Sequence, residues 1–586
     1  MYHYKITDIE LNDGSHIRPG NLTVIVGPNN VGKSRALRDI LALCGPAQNV
    51  RNRQIVVSNV NWTAPSSLEE LRSLGKLAVR EDDNGNKFFR GMDPNLAGER
   101  NFPVTGWTEP NFQSIFSDPK HFAVFFGSQF VAHLSTQNRF QLVQQTASPQ
   151  RYQSAALLHR LYAAGPEVEL QIRELIKVQF GVDIVLDFAG LVNLLFRVGT
   201  NIPQLPPDPR NQLEILEKLE RLDDQGDGLR SFVGIMVALT CADRDVFLID
   251  EPEAFLHPPQ AFRIGEWLAE KATGSAQIFI ATHSADVLQG LLNKSPDATI
   301  LRIDRIGQTN LFRQLDKADL KTISGDPLLQ SERVLDGIFY QAALIVEGDA
   351  DVRFYGAASR KSSAKQDIYV VNAQNKQTVS RIGSLYRKLG IRCVGLVDFD
   401  ALNDPAEFKK QLDALPLQPG QASDLISDRA EIAKFVEALP AEKRLTDTIA
   451  ALRELLLDAE RDSGGGEPES QRAALTKIQG RGRGILEGSK SWSRFKELGA
   501  DALPEKERAI FDRLSSVCAA HGLIINPYGE LESMLADVGV PYTGDKKAWI
   551  QQALLLIQSL QVDQSKNLWK LMKDVHSRLL IDSTNA

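Results

Sequence analysis

Cysteine is scarce in this chain of 586 residues: there are four, Cys44, Cys241, Cys393 and Cys518, none in a C-x-x-C pair. That scatter excludes a disulfide framework or a structural zinc cluster and suits a reducing compartment. A strong charge of one sign is also missing. The 67 basic and 74 acidic side chains leave a net charge of −7, so no global basic field draws the chain onto nucleic acid, and any such surface must be a local patch. No apolar run reaches the ~20 residues that span a bilayer. The polar N-terminus lacks the apolar core of a signal peptide. No internal repeat is visible. The expectation is a soluble cytoplasmic protein with no membrane partner. What is present is ordinary for a globular fold: 43% hydrophobic and 24% charged residues, over a length that allows two or more cores.

Against that background one stretch stands out. Gly27-Pro28-Asn29-Asn30-Val31-Gly32-Lys33-Ser34 reads G-x-x-x-x-G-K-S, the phosphate-binding loop. The β-prone run Leu22–Val26 precedes it and a helical run, Arg35–Leu43, follows. Gly27 and Gly32 let backbone N–H groups, including those of Asn29 and Asn30, curl toward phosphates at a helix N-terminus. Lys33 neutralises phosphate charge and Ser34 holds Mg²⁺, so ATP with Mg²⁺ is the expected ligand. Farther on, the apolar run Val246–Ile249 ends in Asp250 and Glu251. There Asp250 orients the metal through water and Glu251 polarises the attacking water. An acidic pair after a strand is alone equally a helix cap. The strand 277–281 ends in Thr282-His283-Ser284, and in this order His283 suits a γ-phosphate sensor.

Other elements are read from periodicity. Strands are expected at 3–11, 54–60, 121–131, 276–281 and 298–304, the last at a sheet edge, and a hairpin at 76–79 with 87–90. Residues 135–225 read as mostly helical, broken by a strand at 184–188 and by the prolines of 203–209. From 342 the order is strand 343–347, helix 351–359, strand 368–372, helix 378–389, strand 393–398, a β-α-β-α-β series that argues for a parallel sheet. Residues 406–460 are helical, 463–470 a flexible loop by composition, 508–521 a helix, 523–526 a strand, and 546–580 an amphipathic helix.

That second series carries its own acids. Glu347-Gly348-Asp349-Ala350-Asp351 follows one strand and Asp398-Phe399-Asp400 follows another. In a parallel sheet, carboxylates at the carboxyl ends of neighbouring strands converge, and several hard oxygen ligands favour Mg²⁺ or Mn²⁺. Helix caps and turn residues are the bland alternative. Gly529-Glu530-Leu531-Glu532 supplies a third acidic group. Residues 472–497 mix Arg472, Lys477, Arg481, Arg483, Lys490, Arg494 and Lys496 with glycines, Trp492 and Phe495. Such a loop suits nucleic-acid backbone contact; a solvated charged loop is the competing reading.

Residues 1–310 resemble the ABC-type ATPase heads of the SMC and RecF class, on the phosphate loop, Asp250-Glu251-Pro252-Glu253 with Leu256-His257-Pro258, and Thr282-His283-Ser284. By that resemblance Gln225–Phe232 stands where the signature loop belongs, though it departs from L-S-G-G. Gly228 and Ser231 are then donors to the γ-phosphate of a second subunit, which implies a homodimer or higher oligomer through the heads. Gln129 is either the Q-loop glutamine or an ordinary polar residue at a strand end. Residues 342–402 resemble TOPRIM domains, which implies metal binding by Glu347, Asp398 and Asp400.

Asp351, Glu530 and Glu532 are extra acids that look like those of the OLD (overcoming-lysogenization-defect) family nucleases, whose organisation of ATPase head and TOPRIM spans nearly the whole chain. That family places a catalytic lysine near the basic loop, with Lys490 the first candidate and Lys496 the second. The implied fold is α/β: an ABC-type ATPase head with a helical insertion, then a TOPRIM domain with helical insertions. The boundaries are 1–135 and 226–315 for the two lobes of the head, 136–225 for a mainly helical, dimerising insertion, 316–340 for a linker, and 341–586 for the TOPRIM domain, itself with a helical insertion at about 403–480. The implied function is an ATP-hydrolysing, metal-dependent DNA endonuclease of prokaryotic antiphage defence. A second defence protein, or a retron reverse transcriptase with its RNA–DNA product, is an implied partner. The rival is an SMC- or RecF-like repair ATPase whose TOPRIM domain binds nucleic acid without cutting. No nucleophilic tyrosine context or primase zinc motif supports a topoisomerase or primase.

Overall fold

The computed structural model describes residues 3–44, 55–63, 79–81, 87–92, 99–103, 126–148, 156–274, 276–306, 309–315, 317–326, 331–362, 368–438, 441–462, 492–538 and 546–579, with a few isolated positions between them. The chain forms two compact units, Met1–Phe339 and Tyr340–Ala586.

The first unit is built on a six-stranded sheet in the order 309–314, 299–306, 22–26, 277–281, 246–250, 131–134. All neighbours pair parallel except the first two strands, which form an antiparallel hairpin. The strand Leu22–Val26 is buried along its whole length. A strand covered on both faces has no polar face to show, so it reads as an unbroken apolar run. Its helix, Lys33–Cys44, turns Ala36, Leu37 and Ile40 into a core shared with Ile6, Val57 and Phe130. A smaller antiparallel sheet, 16–17 with 6–11 and 57–62, flanks this core.

Four expectations for this unit need correction. The strand expected at 121–131 starts only at Val131 and runs to Leu134, because pairing begins at Val246↔Val131 and Ser128–Phe130 is a short helical turn; residues 121–125 lie outside the described residues. The strand expected at the edge, observed at Thr299–Ile306, is interior, and Thr309–Gln314 takes the edge. The insertion is mixed rather than mainly helical: 183–187, 193–199, 220–221 and 146–147 form an antiparallel sheet beside two helices. Strand Asp183–Asp187 is wholly buried, so it too shows no alternation. Finally, 316–340 is no linker. Helices Lys317–Gly325 and Glu332–Asp336 lie there, and Leu320, Ile323, Val334, Leu335 and Ile338 are core residues.

The helices have local causes. Pro166–Phe180 begins with proline at its first position and two glutamates in its first turn. It stops at Gly181 in the left-handed conformation, a stop that glycine makes without strain. The expected hairpin is seen as 79–81 with 87–92, joined by a third strand, 99–103; residues 76–78 lie outside the described residues.

The second unit carries a fully parallel sheet in the order 368–372, 342–346, 392–397, 523–525. The first three strands are the expected β-α-β-α-β series. The fourth arrives after a long helical excursion, 405–413, 421–437 and 441–462, and it brings the segment 526–532 beside the carboxyl end of 392–397. The tail forms two helices, Lys546–Ser559 and Asn567–Leu579, rather than one. The Asp537 carboxylate accepts from the Asn567 N–H at 2.9 Å, capping the second helix. Trp549, Trp569 and Phe354 fill the core between these helices and the sheet.

Candidate functional sites

The phosphate loop sits at the carboxyl ends of the parallel strands, where ligands of such sheets bind. Gly27 has φ 137°, and a Cβ there would stand 2.0 Å from the Ile303 carbonyl oxygen. Only glycine fits both demands. The Lys33 ammonium donates to the carbonyls of Gly27 and Pro28, each at 2.8 Å. Burial holds its pKa below the usual lysine value, against the pull of Glu251, Glu253 and Asp250. A cavity of about 320 Å³ opens here, lined by Asn29, Asn30, Gly32, Lys33, Ser34, Arg38, Glu251, Arg305 and Asn310 among others.

Asp250 accepts a hydrogen bond from Ser34, which joins the two expected magnesium-binding groups, and burial raises its pKa. Glu251 lies in the left-handed region at φ 47°, a conformation costing about 1–3 kcal/mol outside glycine. The His283 ring stands 3.4 Å from Glu251 and 3.2 Å from Glu253. Its hydrogen bond holds Glu251 below the ordinary carboxylate pKa, and His283 is raised in return. Glu253, which is buried and raised by that burial, accepts from the Thr282 hydroxyl at 2.8 Å and the His283 N–H at 2.9 Å. Glu253 therefore orients the histidine that faces Glu251.

Two residues expected at this site stand elsewhere. Gln129 precedes its strand, at the amino end of the sheet, where its carbonyl accepts from Arg244 at 2.7 Å. It is on the wrong edge for a nucleotide; Gln137, exposed just past the same strand, is at the right one. Ser231 is 1% exposed and its hydroxyl has no partner among the described residues. Helix Asp227–Cys241 is buried from Leu229 onward apart from Arg230 and its last turn, so the Ser231 hydroxyl faces the core and not a second subunit. Gly228 lies one turn earlier, and a Cβ there would stand 2.5 Å from the Phe255 carbonyl oxygen.

In the second unit, Glu347 ends strand 342–346, Asp398 ends 392–397, and Glu530 and Glu532 follow 523–525. The Asp398 N–H donates to the Glu347 carboxylate at 3.2 Å. Burial first, then the repulsion of Asp400 and Asp351, pushes Glu347 up to about 7 although Lys376 opposes it. Asp398 is raised further, by burial and by Glu347, Asp351 and Asp400. Asp400 goes the other way: burial raises it, but Lys376 and Lys496 outweigh burial and hold it below its ordinary value. The Lys496 ammonium is 2.7 Å from one Asp400 oxygen, and Lys376 donates to the other.

Lys496 is placed by a short helix, Ser493–Leu498, whose Lys496 carbonyl accepts from the Glu530 N–H at 2.7 Å. Gly499 then allows Ala500 N–H to reach the Pro527 carbonyl at 2.8 Å. Phe399 stacks on Phe495 and meets Phe511 at a tilt, which seats Asp400 against this helix. Glu532 is buried, and Asp351 is in the first turn of helix 349–362. Tyr355, sequestered from solvent on that helix, directs a buried hydroxyl with no partner among the described residues into the field of these acids.

The donor set fits a hard divalent cation in chemistry: carboxylates at adjacent strand ends, two of whose pKa values are raised first by burial and then by mutual repulsion. As placed, no group of three histidine, cysteine or acidic side chains among the described residues stands close enough to cage an ion. The expected centre of Glu347, Asp351, Asp398, Asp400, Glu530 and Glu532 is brought to one edge but not closed among the described residues, and both oxygens of Asp400 are held by lysines. Lys490, Arg481 and Arg483 lie outside the described residues, as does the side chain of Arg494.

Residues 204–288 match the family model described as "AAA domain, putative AbiEii toxin, Type IV TA system". Residues 338–400 match the TOPRIM domain of the "Overcoming lysogenization defect protein-like" model. The two matches place an ATPase domain and an OLD-like TOPRIM domain in one chain. The Old nuclease of Escherichia phage P2 is 24% identical over 169 residues, a match that spans 27% of this chain and 28% of that protein. Among solved structures, the SMC head domain from Thermotoga maritima is 14% identical and covers 54% of this chain and 100% of its own, at a TM-score of 0.29. An SMC head bound to the C-terminal winged-helix domain of ScpA is 12% identical, covering 53% and 97%, at a TM-score of 0.32.

Three residues of these sites were not singled out from sequence. Arg305 and Asn310 reach the phosphate-loop cavity from a hairpin whose second strand was not recognised. Lys376 follows strand 368–372, at the carboxyl edge where a site is expected; that position was its available signal.

Proposed function

We propose that the chain binds and hydrolyses ATP on its first unit and cleaves DNA on its second as a metal-dependent endonuclease. The observation that supports this most directly is the second unit's arrangement: acids at the carboxyl ends of three adjacent parallel strands, with lysines Lys376 and Lys496 among them. Glu347, Asp398 and Asp400, with Asp351, Glu530 and Glu532 around them, hold Mg²⁺ or Mn²⁺ in this reading. When bound, the ion supplies charge neutralisation at the scissile phosphate and a lowered water pKa. The lysines add fixed positive charge where the phosphate must sit, and Lys496 takes the role of the catalytic lysine. On the first unit, Lys33 and the loop N–H groups hold phosphates, and Ser34 and Asp250 orient Mg²⁺. Glu251, kept ionised by His283, accepts a proton from water.

The same reading makes the heads associate through the end of helix 227–241 that carries Gly228. It assigns the protein to antiphage defence in the cytoplasm, acting alone, with a second defence protein or with a retron reverse transcriptase. The rival, nucleic-acid binding without cleavage, draws on the open arrangement of the acids around Asp400. Incubation with supercoiled and linear DNA in Mg²⁺ or Mn²⁺, with and without ATP, decides between them. Wild type should nick or linearise the plasmid, Glu347→Ala should lose at least about a hundredfold in rate, and Lys33→Ala should lose ATP turnover. Binding with no metal-dependent cutting selects the rival.

A further inference from the structure

We propose that Arg139 is a positioning residue for ATP hydrolysis, coupling helix Asp227–Cys241 to the turn that carries Glu251; this rests on reading the first unit as an ATPase. Past the strand Val131–Leu134 the chain makes one helical turn, Asn138–Gln141, at the carboxyl edge of the sheet. Arg139 on that turn is fully buried. Its Nη2 donates to the Glu251 carbonyl at 3.0 Å, an oxygen that also accepts from the Ala254 N–H at 3.0 Å. Glu251 is the residue held at φ 47°. A left-handed glutamate persists only where its surroundings over-determine it, and these two hydrogen bonds fix its carbonyl.

The guanidinium does more than fill space. Its Nε and Nη1 are buried with no partner among the described residues. Burying a cation with donors unspent is costly, so a packing role alone favours an apolar side chain. The charges that offset its burial are those of Glu253, Asp250 and Glu251, the carboxylates of the hydrolytic site.

The same turn is gripped by the helix. A Cβ on Gly234 would lie 2.5 Å from the Arg139 carbonyl oxygen, so the helix backbone rests directly on the Arg139 backbone. The Arg230 guanidinium lies 5.0 Å above the Phe140 ring, which meets Phe255 at 5.6 Å. Close-packed contacts of this kind do not deform gradually. A displacement of the helix must move the Arg139 turn, and through one hydrogen bond it reaches the carbonyl of Glu251. Arg139 touches no phosphate in this scheme; it acts through the orientation of Glu251.

The test uses the full chain. Steady-state ATPase rates and binding of a fluorescent ATP analogue are measured for wild type, Arg139→Gln, Arg139→Lys, Glu251→Gln and Arg139→Lys combined with Glu251→Gln, each checked for folding by circular dichroism. Expected are a roughly tenfold to hundredfold fall in kcat for Arg139→Gln, a smaller fall for Arg139→Lys, and nucleotide affinity unchanged within about twofold. Adding Arg139→Lys to Glu251→Gln should cost nothing further, since the arginine acts only through that glutamate. The proposal is overturned by losses that multiply in the double variant, by nucleotide affinity falling in step with kcat, by unaltered rates, or by failure of both Arg139 variants to fold. A wild type that turns over no ATP overturns the ATPase reading and this proposal with it, and is distinguished by its own rate.

Discussion

At Asp400 two ammonium groups meet one carboxylate, and their combined effect outweighs burial. Its neighbours Glu347 and Asp398 have no such pair and are pushed up instead. The lysines thus set Asp400, held below its ordinary range, apart from two acids that burial and their neighbours' charges raise. Lys496→Met removes the smaller of the two lysine contributions. We expect weaker cleavage, by roughly tenfold or more, together with tighter binding of Mn²⁺, because a positive charge that competes with the ion has gone. Titration followed by the Mn²⁺ electron paramagnetic resonance signal checks the second half independently of turnover; unchanged or weaker Mn²⁺ binding counts against the compensation. Of these groups, the acids were legible in the sequence because each ends an apolar strand, a local pattern. Lys376 was not, since its partner is 24 residues away on another strand end. Arg139 was still less visible, with 112 residues between it and Glu251.

At the scale of elements, strand Val131–Leu134 contains a buried histidine. His133 pairs in register with Leu248 of the neighbouring strand. Burial, with a smaller contribution from the Arg38 charge, lowers its pKa from 6.5 to about 4. The sign follows from linkage: the unfolded chain takes up a proton below about 6.5 and the folded one does not until about 4. Stability attributable to this site is therefore complete above 6.5 and drains away as pH falls to 4, by about 3 kcal/mol at about 1.4 kcal/mol per unit. Urea denaturation of wild type and His133→Leu at pH 7 and pH 4.5 should show a smaller acid loss in the variant; equal losses assign the acid sensitivity elsewhere. The strand also shows why elements were harder to read than motifs. An apolar run does not mark where pairing starts, so 121–131 read as a strand although pairing begins only at Val131, and Gln129, open between a Q-loop residue and an ordinary polar one, lies before the strand. Strand 183–187 was read at 184–188, but its antiparallel partner 193–199 was not, because that run is buried almost throughout and shows no clean alternation.

For the whole molecule, the division at Phe339–Tyr340 gives each candidate site its own core. One is packed from Tyr4, Leu37, Phe130 and Leu248, the other from Phe354, Trp549 and Trp569. A ligand stabilises only the cooperative unit whose folded state it binds. Calorimetry of the full chain should then resolve two transitions. A non-hydrolysable ATP analogue with Mg²⁺ at about 100 times its Kd should raise one of them by the equivalent of about 2.7 kcal/mol and leave the other in place. Mn²⁺ without nucleotide should raise the other, and Glu347→Ala should abolish that second shift while Lys33→Ala abolishes the first. A single transition moved by either ligand would mean that the units unfold together, and nucleotide binding would then alter the stability of the second unit directly. In the two-transition case, any control of the proposed cleavage by ATP has to pass through conformation rather than through shared stability, and the proposed link from helix 227–241 through Arg139 to Glu251 is where the first unit would carry it.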